Sequence, residues 1–210
     1  MKTDALIAAL AADTLRQPGI AARLARALPV ALAICLVAFG ALWGMRADIG
    51  TALGSVAVLK TILPVALAGL AFGVVIRLAR PGMTAGWRWA LLGVFAASLL
   101  AVFAFHLHRL GLAALPEALA IPSLWVCLIS VPMLGLPLLA ALLWSLRAGA
   151  VLRPQLAGAL AGLAAGGAAA ALYSFYCNQD AVLFVLPAYG AAILSVALLG
   201  AVSGRWLLRW

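Results

Sequence analysis

Acidic residues are scarce in this chain. Five Asp and Glu stand against fourteen Lys and Arg, a net charge of +9, and only 9% of the 210 residues are charged. No acid falls inside a long apolar run, which argues against a coupled transporter or proton pump, because those place ionisable groups near the bilayer midplane. A three-plus-three inverted repeat, the other mark of such proteins, is also missing. His106 and His108 are the only imidazoles, and no Ser or Glu stands clearly beside them to complete a hydrolytic site. There is no HExxH and no Gly-rich phosphate loop. Three cysteines occur without a CxxC pair or zinc-finger spacing. Nothing here points to an enzyme.

What the chain does have is apolar length. Hydrophobic residues make up 68% of it, whereas roughly half of an average globular chain is apolar and about a quarter is charged. The fitting solvent is a bilayer, which a helix crosses with about 20 apolar residues. Six runs qualify, at about 27–45, 58–77, 88–107, 123–145, 155–176 and 182–204. The expected fold is an all-α membrane protein: a six-helix transmembrane bundle over 27–210, preceded by an N-terminal segment over 1–26. That segment carries two acids and the run after it is long enough to cross, so it reads as a span and not as a cleaved signal.

In a soluble chain a charge of +9 would suggest nucleic acid. Here the cations fall between apolar runs, so they set topology and imply no direct nucleic-acid contact. Lys2, Arg16, Arg23, Arg26, Arg77, Arg80, Arg88, Arg147, Arg153, Arg205 and Arg209 share the side of the N-terminus, while Arg46, Lys60 and Arg109 lie on the other. The positive-inside rule then places both termini in the cytoplasm. The closing Arg205-Trp206-Leu-Leu-Arg209-Trp210 reads as an interfacial anchor.

Residues 1–26 are the one sizeable region outside the bilayer. Thr3 can cap a short helix, Asp4 suits its first turn, and Leu6, Ile7 and Leu10 share a face. Arg23 and Arg26 belong to a second short segment leading to the membrane. Within the fifth run, Gly158, Gly162 and Gly166 repeat every four residues and make a flat strip on which another helix can lie. That helix can belong to the same bundle or to a second copy in a homodimer.

The remaining polar groups sort by depth. His106 and His108 end the third run, Cys127 lies about one turn into the fourth, and Cys177 and Asp180 sit in the hairpin Tyr173–Phe184. All are expected at the face opposite the termini. Thiolate and imidazole suit soft or borderline metal ions. Two cysteines at one depth can instead form a disulfide, if their Cα atoms approach within about 7 Å, or simply pack as small apolar residues. Cys35, mid-run, reads as packing.

These residues carry a resemblance. Along its whole length the chain resembles the NrsF family (negative regulator of sigma F) of integral-membrane anti-sigma factors. The opening Met1–Asp13, the turn Arg77-Leu-Ala-Arg80-Pro81-Gly82, the motif Cys127-Leu-Ile-Ser130-Val-Pro132 and the closing Gly204–Trp210 are similar to family segments. The family hairpin reads Cys-x-x-Asp-Ser-x-x-Phe followed by Trp-Tyr. Cys177, Asp180, Phe184 and Tyr189 match it, while Ala181 replaces the Ser and Ala188 the Trp.

The resemblance implies a non-enzymatic, multi-pass protein of the bacterial inner membrane. It would hold an extracytoplasmic-function sigma factor and release it under stress. It also implies sensing of metal or oxidant by Cys127 and Cys177, with Asp180 beside them. No obligate cofactor is expected, only a transient heavy-metal ion at the cysteines, with His106 and His108 as additional ligands. Asp4, Leu6, Ile7, Leu10 and Asp13 would form the sigma-binding stripe, by helix-in-groove contact and acid–base pairing. The readings that stand apart from the resemblance are a small transporter or channel and a structural subunit of a membrane complex.

Overall fold

A computed structural model describes residues 3–12, 18–80, 82–83 and 86–209, with the side chains of Leu6, Ala9 and Leu10 left out. The regular elements among the described residues are all helices, with no strand among them. The helices are α1 (Thr3–Ala12), α2 (Ile20–Leu42), α3 (Ile49–Leu53), α4 (Leu59–Leu78), α5 (Trp87–Leu110), α6 (Ala114–Leu119), α7 (Ser123–Leu146), α8 (Pro154–Tyr173) and α9 (Val182–Leu207). A 3₁₀ turn, Val56–Val58, leads into α4. Six helices, α2, α4 with its turn, α5, α7, α8 and α9, are long and apolar enough to cross a membrane.

The ends of these helices follow from local chemistry. Gly44 and Gly111 take positive φ of 75° and 83° just beyond α2 and α5, the conformation that closes a helix and that Gly adopts at no steric cost. The Gly44 N–H returns to the Phe39 carbonyl at 2.9 Å. Pro154 opens α8, where its missing N–H has no intrahelical partner to lose. α2 starts earlier than the apolar run suggests, so Arg23 and Arg26 ride on the first spanning helix and not on a separate short one. The short helices α3 and α6 were not legible as apolar runs.

The bundle is built around α8. Its Ala- and Gly-rich surface is almost wholly buried, with α9, α7 and α4 against it. α5 lies at the edge and has no buried residue. Two core clusters divide the bundle by depth. One, toward the termini, joins Cys35, Val74, Val75, Leu142, Leu146 and Ala161. The other, toward the α8–α9 hairpin, joins Phe39, Cys127, Val131, Tyr173, Cys177, Phe184 and Tyr189. Cys35 belongs to the first, and its Sγ lies 3.1 Å from the Leu134 carbonyl.

The glycine strip settles against α9 of the same chain. A Cβ on Gly158 would strike the Gly200 carbonyl, one on Gly162 would lie 2.6 Å from the Ala197 Cα, and one on Gly166 would lie 3.2 Å from the Ile193 Cα. All three glycines are buried. Of the two partners open to the strip of Gly158, Gly162 and Gly166, a helix of the same bundle or a second copy, the structure places the bundle's own α9 there.

Overpacking at such a contact costs about 1–3 kcal/mol. Gly158→Val is expected to lower the thermal midpoint of the detergent-solubilised protein. Gly190→Ala, where nothing lies within 4 Å of the new Cβ, should leave it within experimental error. Equal midpoints for the two variants would contradict the α8–α9 packing.

Candidate functional site

α8 does not stop cleanly at the hairpin; it tightens into it. Ser174 N–H bonds to the Ala170 carbonyl, and the N–H groups of Tyr176 and Cys177 both reach the Tyr173 carbonyl, at 3.0 and 3.1 Å. This last turn carries Cys177 inward, where it is 4% exposed, against the fully buried Cys127 of α7 in one apolar cluster. Tyr173 and Tyr189, their rings 6.0 Å apart, belong to the same cluster. Both cysteines are free thiols. The Tyr189 hydroxyl is buried and finds no hydrogen-bond partner among the described residues.

Over this cluster sits a set of charges. The Lys60 Nζ donates to the carbonyls of Cys177 and of Gln179 (3.3 Å) and to Asp180 Oδ1 at 2.5 Å. An ammonium has three protons, so every donor on this buried lysine is used. Arg46 makes five bonds: two to Asp48 (2.6 and 2.7 Å), two to Asp180 (3.1 and 3.2 Å) and one to the Cys177 carbonyl (3.1 Å). Its backbone N–H also reaches the Phe175 carbonyl at 2.9 Å. Thr61 and Ser174 pair through their hydroxyls at 2.6 Å. The hairpin is thus tied to the start of α4 and to the loop after α2. Two cations meet two carboxylates, which is how charge is tolerated away from water.

The titration of the set follows its geometry. Burial pushes the Asp180 carboxyl up, but hydrogen bonds from Arg46 and Lys60, with their charges, outweigh it and hold the group below its usual range. The hydrogen bond from Arg46 does the same for Asp48. Arg46 is held further toward its charged form, first by Asp48 and then by Asp180.

Of the expected sensing residues, Cys127 and Cys177 fall in one buried cluster, and Asp180 joins Lys60 and Arg46 in a charged clasp that also holds the Cys177 carbonyl. His106 and His108 belong to neither. The His106 ring lies 2.9 Å from the Val102 carbonyl of its own helix and edge-on to Phe105, and His108 is exposed. Both ride on the peripheral α5. Among the described residues no three His, Cys, Asp or Glu side chains converge as a metal site. Equal depth does not fix position around the bundle. In α1, Asp4 and Ile7 are exposed, the latter at 59%. The side chains of Leu6 and Leu10, and Asp13 altogether, lie outside the described residues. The residues that sequence reasoning missed are Lys60, Arg46 and Asp48. The available signal was that Asp180 is the one acid beyond Glu117, with only three cations expected at its end.

Comparison with known proteins bears on this arrangement. The family described as NrsF, negative regulator of sigma F, matches residues 9–210. The chain is 37% identical over 215 residues, covering all of both chains, to the anti-sigma-F factor NrsF of Caulobacter vibrioides (strain NA1000 / CB15N). It is 34% identical over 217 residues, again covering all of both, to the probable anti-sigma-F factor NrsF of Azospira oryzae (strain ATCC BAA-33 / DSM 13638 / PS). No solved structure matches the chain.

A carboxyl whose folded pKa is depressed stabilises the fold above its unfolded pKa, and that contribution is lost as pH falls through the folded value. With an unfolded Asp near about 3.9, the clasp should be whole at pH 7 and weaken only below about pH 4. The thermal midpoint of the wild-type protein is expected to drop there. Asp180→Asn keeps an oxygen acceptor but loses the charge facing Lys60 and Arg46, so it should be less stable at pH 7 by up to about 1 kcal/mol for a partly exposed ion pair, and its acid-induced drop should shrink. A variant with the wild-type pH profile would show that Asp180 carries no such linkage.

Proposed function

The chain belongs to the NrsF family of negative regulators of sigma F, non-enzymatic regulators, and from that membership we propose a sensing anti-sigma factor of the bacterial inner membrane. It sequesters an extracytoplasmic-function sigma factor on the cytoplasmic face and releases it when a thiophilic metal or an oxidant reaches Cys127 and Cys177. Six candidate membrane helices support a multi-pass protein. The excess of cations on the side of the termini supports a cytoplasmic N-terminal segment. That segment, with Asp4, Leu6, Ile7, Leu10 and Asp13, is the proposed grip on the sigma factor.

The observation that carries the reading is that both thiols share one buried cluster while the Cys177 carbonyl is held by Arg46 and Lys60. Arg46 lies four residues beyond the end of α2, and the other end of α2 adjoins the N-terminal segment. A disulfide, or a soft metal ion bridging the two thiolates, pulls Cys177 toward α7. That displacement withdraws its carbonyl from Arg46 and Lys60, and α2 and α4 are then free to shift. A signal moves such an equilibrium only through its differential affinity for the two states. Tenfold release needs about 1.4 kcal/mol, and one hydrogen bond to a charged group is worth about 1.5–3 kcal/mol. Losing a single clasp bond is of sufficient size.

The test is a pull-down from membranes of unstressed cells, using a C-terminal tag and mild detergent. A sigma factor should co-purify and leave on addition of diamide or mercuric ion. With Ser at both Cys127 and Cys177 it should stay bound under either agent; release from that variant places the sensor elsewhere. Leu6→Ala with Leu10→Ala should abolish capture while the protein remains in the membrane. Undiminished capture overturns the assignment of the N-terminal segment.

A further inference from the structure

A second site lies at the opposite end of the bundle, between α2 and α7. The two helices run antiparallel there, and small side chains at their contact (Ala27, Ala31, Ala140 and Ala141) leave an open groove of about 380 Å³. Val30, Ile34 and Pro137 complete its apolar walls, and Arg26 and Trp144 stand at its mouth. From Arg26 to Ile34 the groove runs along nine residues of α2, about 12 Å at the α-helical rise. One turn before Arg26, the Arg23 guanidinium lies 5.3 Å from the centroid of the Trp144 ring. Its Nη1 contacts the Trp144 carbonyl at 3.4 Å, while its Nε is buried with no partner among the described residues.

We propose that this groove is a binding site for an anionic phospholipid of the leaflet on the side of the termini, with the phosphate at Arg23 and Arg26 and one acyl chain along Val30, Ile34 and Pro137. Three features select that occupant. The groove belongs to two membrane-spanning helices and opens sideways, so its walls face acyl chains. Both cations sit at the interfacial end and none along the walls, the charge distribution of a phospholipid in register. A tryptophan marks the same depth, as expected at the headgroup level. Basic pockets between spanning helices are a known way of recognising anionic headgroups. The site differs from the thiol cluster in place and chemistry, and it does not depend on the sigma-binding reading.

The experiment is native mass spectrometry of the full chain released from nanodiscs of equal parts phosphatidylglycerol and phosphatidylcholine. The wild-type protein should retain phosphatidylglycerol preferentially. Arg23→Gln and Arg26→Gln should each reduce that retention roughly fivefold, as befits one interfacial arginine. Ala140→Phe keeps both arginines but fills the groove from an exposed position, so it should also reduce retention. Arg205→Gln with Arg209→Gln, at and just beyond the C-terminal end of α9, should not. Excess inorganic phosphate should fail to displace the lipid. Equal retention of the two lipids by the wild-type protein overturns the proposal. So does an unaffected Ala140→Phe, or a loss that follows the number of arginines regardless of helix, which is diffuse surface attraction.

Discussion

The close approach of α8 and α9 is the constraint on which the rest of the structure depends. Gly158 and Gly162 on one helix, with Gly200 and Gly204 on the other, let the two backbones touch where any side chain would hold them apart. In lipid there is little hydrophobic force between helices, so such packing has to supply the attraction. Gly167 makes the same accommodation toward α4, where a Cβ would lie 2.8 Å from the Pro64 carbonyl. With α8 pressed against both neighbours, the short hairpin after it can emerge in only one place. Cys177 then lies under the start of α4 and beside Cys127.

The clasp follows from that placement. Bringing the hairpin to the α4 terminus puts its carbonyls over Lys60, which is 6% exposed and therefore needs acceptors for all three protons. Cys177, Gln179 and Asp180 provide them. Arg46 closes the set from the α2 side, using its planar fork on two carboxylates. A fully satisfied and neutral set of this kind resists small deformations, because every shift strands a charge. It yields in a step when one acceptor is withdrawn.

How much of this was legible in the sequence depends on the dimension concerned. Length and apolarity mark a span directly, so the six long helices could be read, and alternation of spans assigned each polar residue to an end. Position around the bundle could not be read. His106 and Cys127 were expected at one depth, yet α5 has no buried residue while much of α7, Cys127 included, is buried. The glycine strip on α8 announced a close helix neighbour without saying which, and α9 proved to be it. Lys60 and Arg46 looked like topology markers because a cation beside an apolar run usually is one. Their role needs the hairpin of residues more than a hundred positions later to fold over them. The short helices α3 and α6 were missed because they are too brief for periodicity to register.

α2 is where these features converge. Its hairpin-side end is tied to Cys177 through Arg46, and its other end adjoins the N-terminal segment and carries Arg23 and Arg26. Its buried face is a thin line of Ala31, Cys35 and Phe39, and most of its remaining surface faces outward. A helix seated along one narrow seam against α7 can slide or rotate at lower cost than the deeply packed α8. Packed helices of this sort move between discrete arrangements and do not bend continuously. Fixing α8 and α9 rigidly while leaving α2 lightly seated concentrates any movement of the clasp into the one helix that continues into the N-terminal segment. On the proposed readings, an occupant of the α2–α7 groove and a change at the thiol cluster would act on this same helix from its two ends.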